Sequence, residues 1–194
     1  MSRNILMISE AVLKERSIIH DNIDPKLIFP DIKAAQDLYI EPVLGTTLFN
    51  KILDLISAGT ITDGANVDYK NLLDNYIIDA LIYYTLAEMP VTLSYQFWNK
   101  GIKVKTADNT ADPSMSDMVD ISNRNRNKAE AYAQRMTYYL RQHATSAFLP
   151  EYLIQQWGLD VIQPKTNDYT VPVYLGDNGC CIPVGSENST IDLS

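Results

Sequence analysis

The chain has 194 residues, 46% of them hydrophobic and 21% charged, the proportions of an ordinary globular protein with enough length to bury a substantial core. A formal charge of −8 argues against free nucleic acid as a primary ligand. No apolar run reaches the roughly 20 residues that a membrane helix needs, and the N-terminal stretch MSRNILMISEAVLKER turns acidic too early for a secretory signal.

Cys180 and Cys181 are the only cysteines, and they are adjacent. Neighbouring cysteines rarely bridge each other, so they give no sign of an oxidising compartment. The expectation is one soluble domain with extended appendages, made in a reducing cytoplasm.

In chain order, 9–16 is a short predicted helix, with Ser9 as N-cap and Glu10 where the helix dipole favours a negative charge. An extended piece follows over 17–23. Asp24–Pro25 is a second start signal, an Asp cap with Pro in the first turn. Pro30 is expected to separate this helix from the next.

The stretch 31–56, DIKAAQDLYIEPVLGTTLFNKILDLI, reads as a helix–turn–helix corner. Ile32, Ala35, Leu38 and Tyr39 share one face of the first helix, and Leu48, Ile52, Leu55 and Ile56 one face of the second. Pro42 should end the first helix, Gly45 should take positive φ, and Thr46 or Thr47 should cap the second helix.

A loop over 58–67 is punctuated by Gly59 and by Asp63–Gly64. The predicted helix over 68–88 is apolar nearly all round and should be the most buried element. Pro90 should bend or interrupt it, with helix resuming over 91–100 and carrying Phe97 and Trp98. Ile102-Lys103-Val104-Lys105 alternates apolar and charged, a strand signal within a projecting loop or hairpin leg over 101–116.

A long helix is expected over 117–144, with the core stripe Ala129, Tyr132, Ala133, Met136 and Leu140. Its first half, DISNRNRNKAEA, is polar all round and should be solvated or face a partner. A short helical piece over 151–157 ends at Gly158. Beyond it the chain is rich in Pro, Gly, Asn and Asp, with β-like runs at 170–175 and 180–184 and too little apolar content to form its own core.

Three strings, AAQDLYIEPVLGTTLFNKILDLI, NLLDNYIIDALIYYTLAEMP and FWNKGIKVK, resemble the head–tail connector (adaptor, or ring) proteins of tailed bacteriophages, in particular those of crAss-like and related phages of Bacteroidetes. The likeness runs from about residue 24 to about residue 143 and rests on the order and spacing of ordinary residues. The resemblance implies a virion protein of the neck, assembled in the host cytoplasm. It would form a ring beneath the portal vertex with the portal's twelve-fold symmetry. The implied partners are further copies of itself, the portal protein, a second ring or tail protein and, non-specifically, the DNA of the channel; no membrane is implied.

No catalytic constellation accompanies these features. His20 and His143 lie far apart, neither has a helical partner at metal-site spacing, and no nucleophile elbow, P-loop or dinucleotide fingerprint occurs. The adjacent cysteines lack a second Cys/His pair to complete a zinc site. Asp108, Asp112, Asp117 and Asp120 suggest calcium, but Thr110 and Pro113 stand where the EF-hand pattern needs a ligand and a glycine. The reading is therefore a non-enzyme with no catalytic, cofactor or metal residues. A helical assembly factor that never enters the particle, and a small hydrolase using a borrowed metal, remain as alternatives of other classes.

The expected fold class is mainly α: a small helical bundle with a long C-terminal helix, a protruding β-like loop or hairpin and an extended C-terminal arm. Its divisions are an N-terminal arm over 1–23, a connector body over 24–158 with the loop 101–116, and the arm over 159–194. Partner contacts are expected from Lys103, Lys105, Arg124 and Arg126 on the loop and long helix. In the arm they are expected from Tyr169, Val171, Val173, Tyr174, Leu175, Ile182 and Val184. The body's cations and the arm's acids could complement each other between neighbours, or simply form a solvated face and a soluble tail.

Overall fold

The computed structural model describes residues 4–98, 101–104, 114–154, 158 and 161–165. Helix α1 (Glu10–Glu15) starts at Ser9, whose hydroxyl accepts the Val12 N–H at 3.3 Å. Helix α2 (Pro25–Ala35) starts at Asp24, whose carboxylate accepts the Lys26 N–H at 3.0 Å.

Neither Pro30 nor Pro42 stops the chain. Helix α2 passes through Pro30 and continues into a π turn (Gln36–Ile40) and helix α3 (Glu41–Leu44). The Glu41 N–H reaches back five residues to the Gln36 carbonyl. The helix is thus widened just before Pro42, whose ring and missing N–H a regular turn would not accept. The Gln36 side chain is fully buried and grips the N-terminal segment: its amide donates to the Ile5 carbonyl at 3.1 Å and accepts from the Met7 N–H at 2.9 Å.

The corner is made at Gly45, with φ 78° and ψ 149°, a conformation essentially reserved for glycine. Gly45 is itself the N-cap of α4 (Thr46–Ala58), in place of the expected threonine cap. Thr46 instead donates its hydroxyl to Glu41 Oε1 at 2.8 Å. Helix α4 ends at Gly59 in the left-handed region, φ 70°.

Helix α5 (Val67–Leu72), a second π turn (Leu73–Ile77) and α6 (Ile78–Ser94) form one continuous helical rod. It passes through Pro90, which has no N–H for the Leu86 carbonyl. The long helix α7 (Met115–His143) supplies the donors: Asn125 Nδ2 reaches the Leu86 carbonyl at 3.3 Å, and the Ser122 hydroxyl reaches the Ala87 carbonyl at 2.7 Å. Part of the polar first half of α7 therefore faces the turn of α6 before Pro90 rather than solvent. A reciprocal capping box between Ser114 and Asp117 fixes where α7 begins.

Helices α6 and α7 are antiparallel. Tyr76 meets Tyr139 and Tyr83 meets Tyr132, so each partner steps seven residues, two helical turns, in opposite directions. One core joins all of this. Leu13, Ile28, Ile32, Leu44, Leu48, Ile52, Leu72, Ile77, Leu81, Met136 and Leu140 have no exposed surface. Each such burial stabilises by roughly 1.5–3 kcal/mol before the entropy of ordering is counted.

The fold class expected from the sequence is corrected on three points. First, the short helical piece expected over 151–157 is α8 (Pro150–Leu153), shorter than expected and entered through buried Leu149 in the left-handed region, φ 52°. Second, helix does not resume to residue 100 with the β element beginning after it. It stops at Ser94, and Tyr95–Trp98 is β1, paired antiparallel with β2 (Gly101–Val104) from Tyr95↔Val104 to Trp98↔Gly101. The aromatic run YQFW fits a pleated surface better than a further helical turn.

Third, the chain after Gly158 does not leave the body at once. The Thr46 N–H donates to the Ile162 carbonyl at 3.0 Å, the Ile162 N–H to Thr46 Oγ1 at 2.9 Å, and the Lys165 N–H to the Pro42 carbonyl at 2.9 Å. Free donors and acceptors at the glycine corner favour this strand-like clasp. The remainder of the expected arm, 166–194, and the loop residues 105–113 lie outside the described residues.

Candidate functional site: the two flanks of the long helix

On one flank of α7 lies a groove of about 390 Å³, bounded by Leu38, Tyr39, Tyr84, Arg126, Glu130 and Lys165. The π turn carries Leu38 and Tyr39 to its wall, and Leu38 is 64% exposed. Tyr39 and Tyr84 stack with ring centroids 4.4 Å apart. The Tyr39 hydroxyl donates to Glu88 Oε1 at 2.6 Å, and Arg126 Nη2 donates to the same oxygen at 3.2 Å. The hydrogen bond to Glu88, then burial, pushes the Tyr39 phenol above its ordinary value. Burial, then the charge of Glu130, pushes that of Tyr84 up to about 12. Both phenols are neutral at neutral pH, and their rings and the Tyr39 hydroxyl are already engaged within the wall of the groove.

The other flank is a stripe of tyrosines and cations. Lys128, Tyr132, Arg135, Tyr139 and His143 recur at helical spacing along α7. Tyr132 stacks on Tyr83 at 5.5 Å and Tyr139 on Tyr76 at 4.2 Å, and His143 stacks on Tyr139 at 4.5 Å. The Arg135 guanidinium lies 4.9 Å from the Tyr76 ring centroid, and the Lys128 ammonium 5.3 Å from that of Tyr83. These rings are half-buried, and cations over them at the surface contribute about 0.5–1 kcal/mol each. Lys128 and Arg135 remain exposed.

The residues expected to meet partners are scattered by the fold. Arg126 points into the groove, bonded to Glu88 and 5.8 Å from the Tyr39 ring centroid. Arg124 is exposed, on the side of α7 that carries Lys128 and Arg135. Lys103 lies on β2 opposite Gln96. Lys105, Tyr169, Val171, Val173, Tyr174, Leu175, Ile182 and Val184 lie outside the described residues. The sequence reading missed Tyr39 and Glu88 at the groove, as well as the pairing of tyrosines across α6 and α7. The seven-residue spacings of Tyr76 and Tyr83, and of Tyr132 and Tyr139, were the available signal.

Among the described residues, no three His, Cys, Asp or Glu side chains come together as a metal site, and no helix is long and apolar enough to cross a membrane. A family model described as a family of unknown function, DUF6712, matches residues 40–156, more than half of the chain. The chain belongs to the DUF6712 family. In this DUF6712 member the matched stretch begins in the first π turn and runs past α8. It therefore includes the glycine corner, α5–α6 and all of α7, and excludes α1, α2, the groove residues Leu38 and Tyr39 and the clasp at 161–165. No curated protein and no solved structure matches the chain.

Proposed function

We propose that this protein is a structural subunit of a tailed-bacteriophage neck, repeated as a ring beneath the portal vertex, where it joins head to tail and surrounds the DNA channel. The observation that carries this reading is the resemblance of the three sequence strings to head–tail connector proteins. Those strings fall on the frame of the body: the corner from α2 to α4, the α5–α6 rod, and the paired strands β1 and β2. The two flanks of α7 add surfaces of the composition that favours protein–protein contact, rich in tyrosine and arginine. The partners in this reading are identical neighbours, the portal protein and the next ring or tail component.

Particle composition provides the test. Purified virions should contain the protein in a ring's stoichiometry, and vertex class averages from electron cryomicroscopy should place a helical ring under the portal. A phage lacking the gene should accumulate heads without tails. Absence from purified virions, with assembly still dependent on the gene, would overturn the ring in favour of an assembly factor.

A further inference from the structure

We propose that the tyrosine–cation stripe of α7 seats the acidic C-terminal segment, residues 166–194, of a second copy of this chain. The first argument is charge. That segment contains Asp168, Asp177, Glu187 and Asp192 and no lysine or arginine. The stripe side of α7 presents Arg124, Lys128 and Arg135, all exposed. Of the acids on the elements packed beside it, Asp79 is already paired with Arg16 at 2.6 Å, and Asp68 lies near the Tyr139 phenol. Complementary potentials of this kind select a partner and fix its register even where each pair adds little affinity.

The second argument is preorganisation. Lys128 and Arg135 are held over the rings of Tyr83 and Tyr76, and those rings are stacked on Tyr132 and Tyr139. Part of the side-chain ordering that binding costs is thereby already made in the free protein. Tyrosine and arginine are also the side chains that carry most of the energy at protein interfaces. Val171, Val173, Tyr174 and Leu175 offer the incoming segment apolar groups for the ring platform.

The third argument is direction. The chain is tied at Lys165 to the Pro42 carbonyl, beside the groove with Arg126 and Glu130, on the flank of α7 opposite the stripe. The point of attachment thus lies on the flank away from the chain's own stripe, and in a head-to-tail ring that flank would adjoin the stripe of the next copy. In this respect alone the inference rests on the ring reading. Repetition around a closed ring would multiply a contact that is weak by itself.

The test is a charge swap in the full-length protein. One variant carries Lys128→Glu and Arg135→Glu, and the other Asp168→Lys and Asp177→Lys. Wild type should self-associate in sedimentation experiments and lose that association as salt is raised. Each variant alone should associate about tenfold or more weakly, with helix content and melting unchanged, and the equimolar mixture should regain association. Cross-links between 166–194 and α7 should join isotopically distinct chains. Wild-type-like association of the first variant, no recovery on mixing, cross-links confined to one chain, or no wild-type self-association would each overturn the proposal. The ring reading is scored separately by the protein's presence in virions. A virion protein whose association ignores the swap loses the seat and keeps the ring, and the reverse result keeps the seat and loses the ring.

Discussion

Asn125 donates its side-chain amide to the carbonyl of Leu86, the acceptor that Pro90 leaves without its helical donor. A proline inside a helix ordinarily costs about 3 kcal/mol, partly through that lost bond. Here a neighbouring helix supplies the missing N–H, and the Ser122 hydroxyl adds a bond to the next carbonyl, that of Ala87.

The two positions should therefore be coupled. Asn125→Ala should destabilise by about 1 kcal/mol, the worth of a half-buried neutral hydrogen bond. In a Pro90→Ala background, which restores a backbone N–H, the same substitution should cost almost nothing. A double-mutant cycle from urea unfolding checks this, and strict additivity would sever the link between Asn125 and Pro90.

Gly45→Val should lower stability by about 1–3 kcal/mol, because a β-branched residue is strained at φ 78°. Gly45→Ala should show a smaller loss of the same sign. Thermal melting or urea unfolding of both variants checks this, and unchanged curves would mean that the corner does not require glycine.

Five phenols, those of Tyr39, Tyr69, Tyr84, Tyr139 and Tyr152, are raised above their ordinary value near 10. Burial is the leading cause for all but Tyr39, where the bond to Glu88 leads; Tyr69 also donates to Glu151 at 2.7 Å. Above pH 10 the unfolded chain releases these protons while the folded chain keeps them. The folded state then binds more protons, and stability falls as pH rises. Stability should be level from neutrality to about pH 9 and drop steeply from 10 toward 12. Ultraviolet difference titration should show delayed phenols that ionise together with unfolding.

Asp31 has the opposite relation to neutral pH. It is 8% exposed, accepts from Thr92 at 3.0 Å through one oxygen, and leaves the other without a partner among the described residues. Burial raises its pKa, outweighing the Thr92 bond, and Glu88 adds to the rise. Its stabilising contribution is complete below the unfolded value of 3.8 and is lost as pH climbs through the folded one. Asp31→Asn should therefore gain stability at pH 7 and flatten the acid limb of the stability profile, as read from urea midpoints.

Much of the fold was legible where the signal was local. Ser9 and Asp24–Pro25 capped the helices they were expected to cap, and Gly45 turned the corner with positive φ. The capping box at Ser114 and Asp117 was equally local and was overlooked. Prolines 42 and 90 misled for a shared reason. The chain's own sequence shows the missing N–H, whereas the π turn before Pro42 and the Asn125 amide beside Leu86 are remedies from a widened turn and from another helix. The clasp at Ile162 was invisible because its partner, Thr46, is more than a hundred residues away and its bonds are mainly backbone ones. At the site, Arg126 is a surface cation by composition alone, and only the packing of α6 against α7 turns it toward Glu88 and Tyr39.

The clasp also sets a timetable for synthesis. Pro42 and Thr46 leave the ribosome more than a hundred residues before Lys165 and Ile162, which complete their hydrogen bonds. At roughly 5–20 residues per second that gap lasts from several seconds to about half a minute. Throughout it the nascent corner keeps open the backbone groups that the finished protein covers. Closure of the corner is therefore a late event in the birth of each molecule, and it reports that nearly the whole described chain has been made.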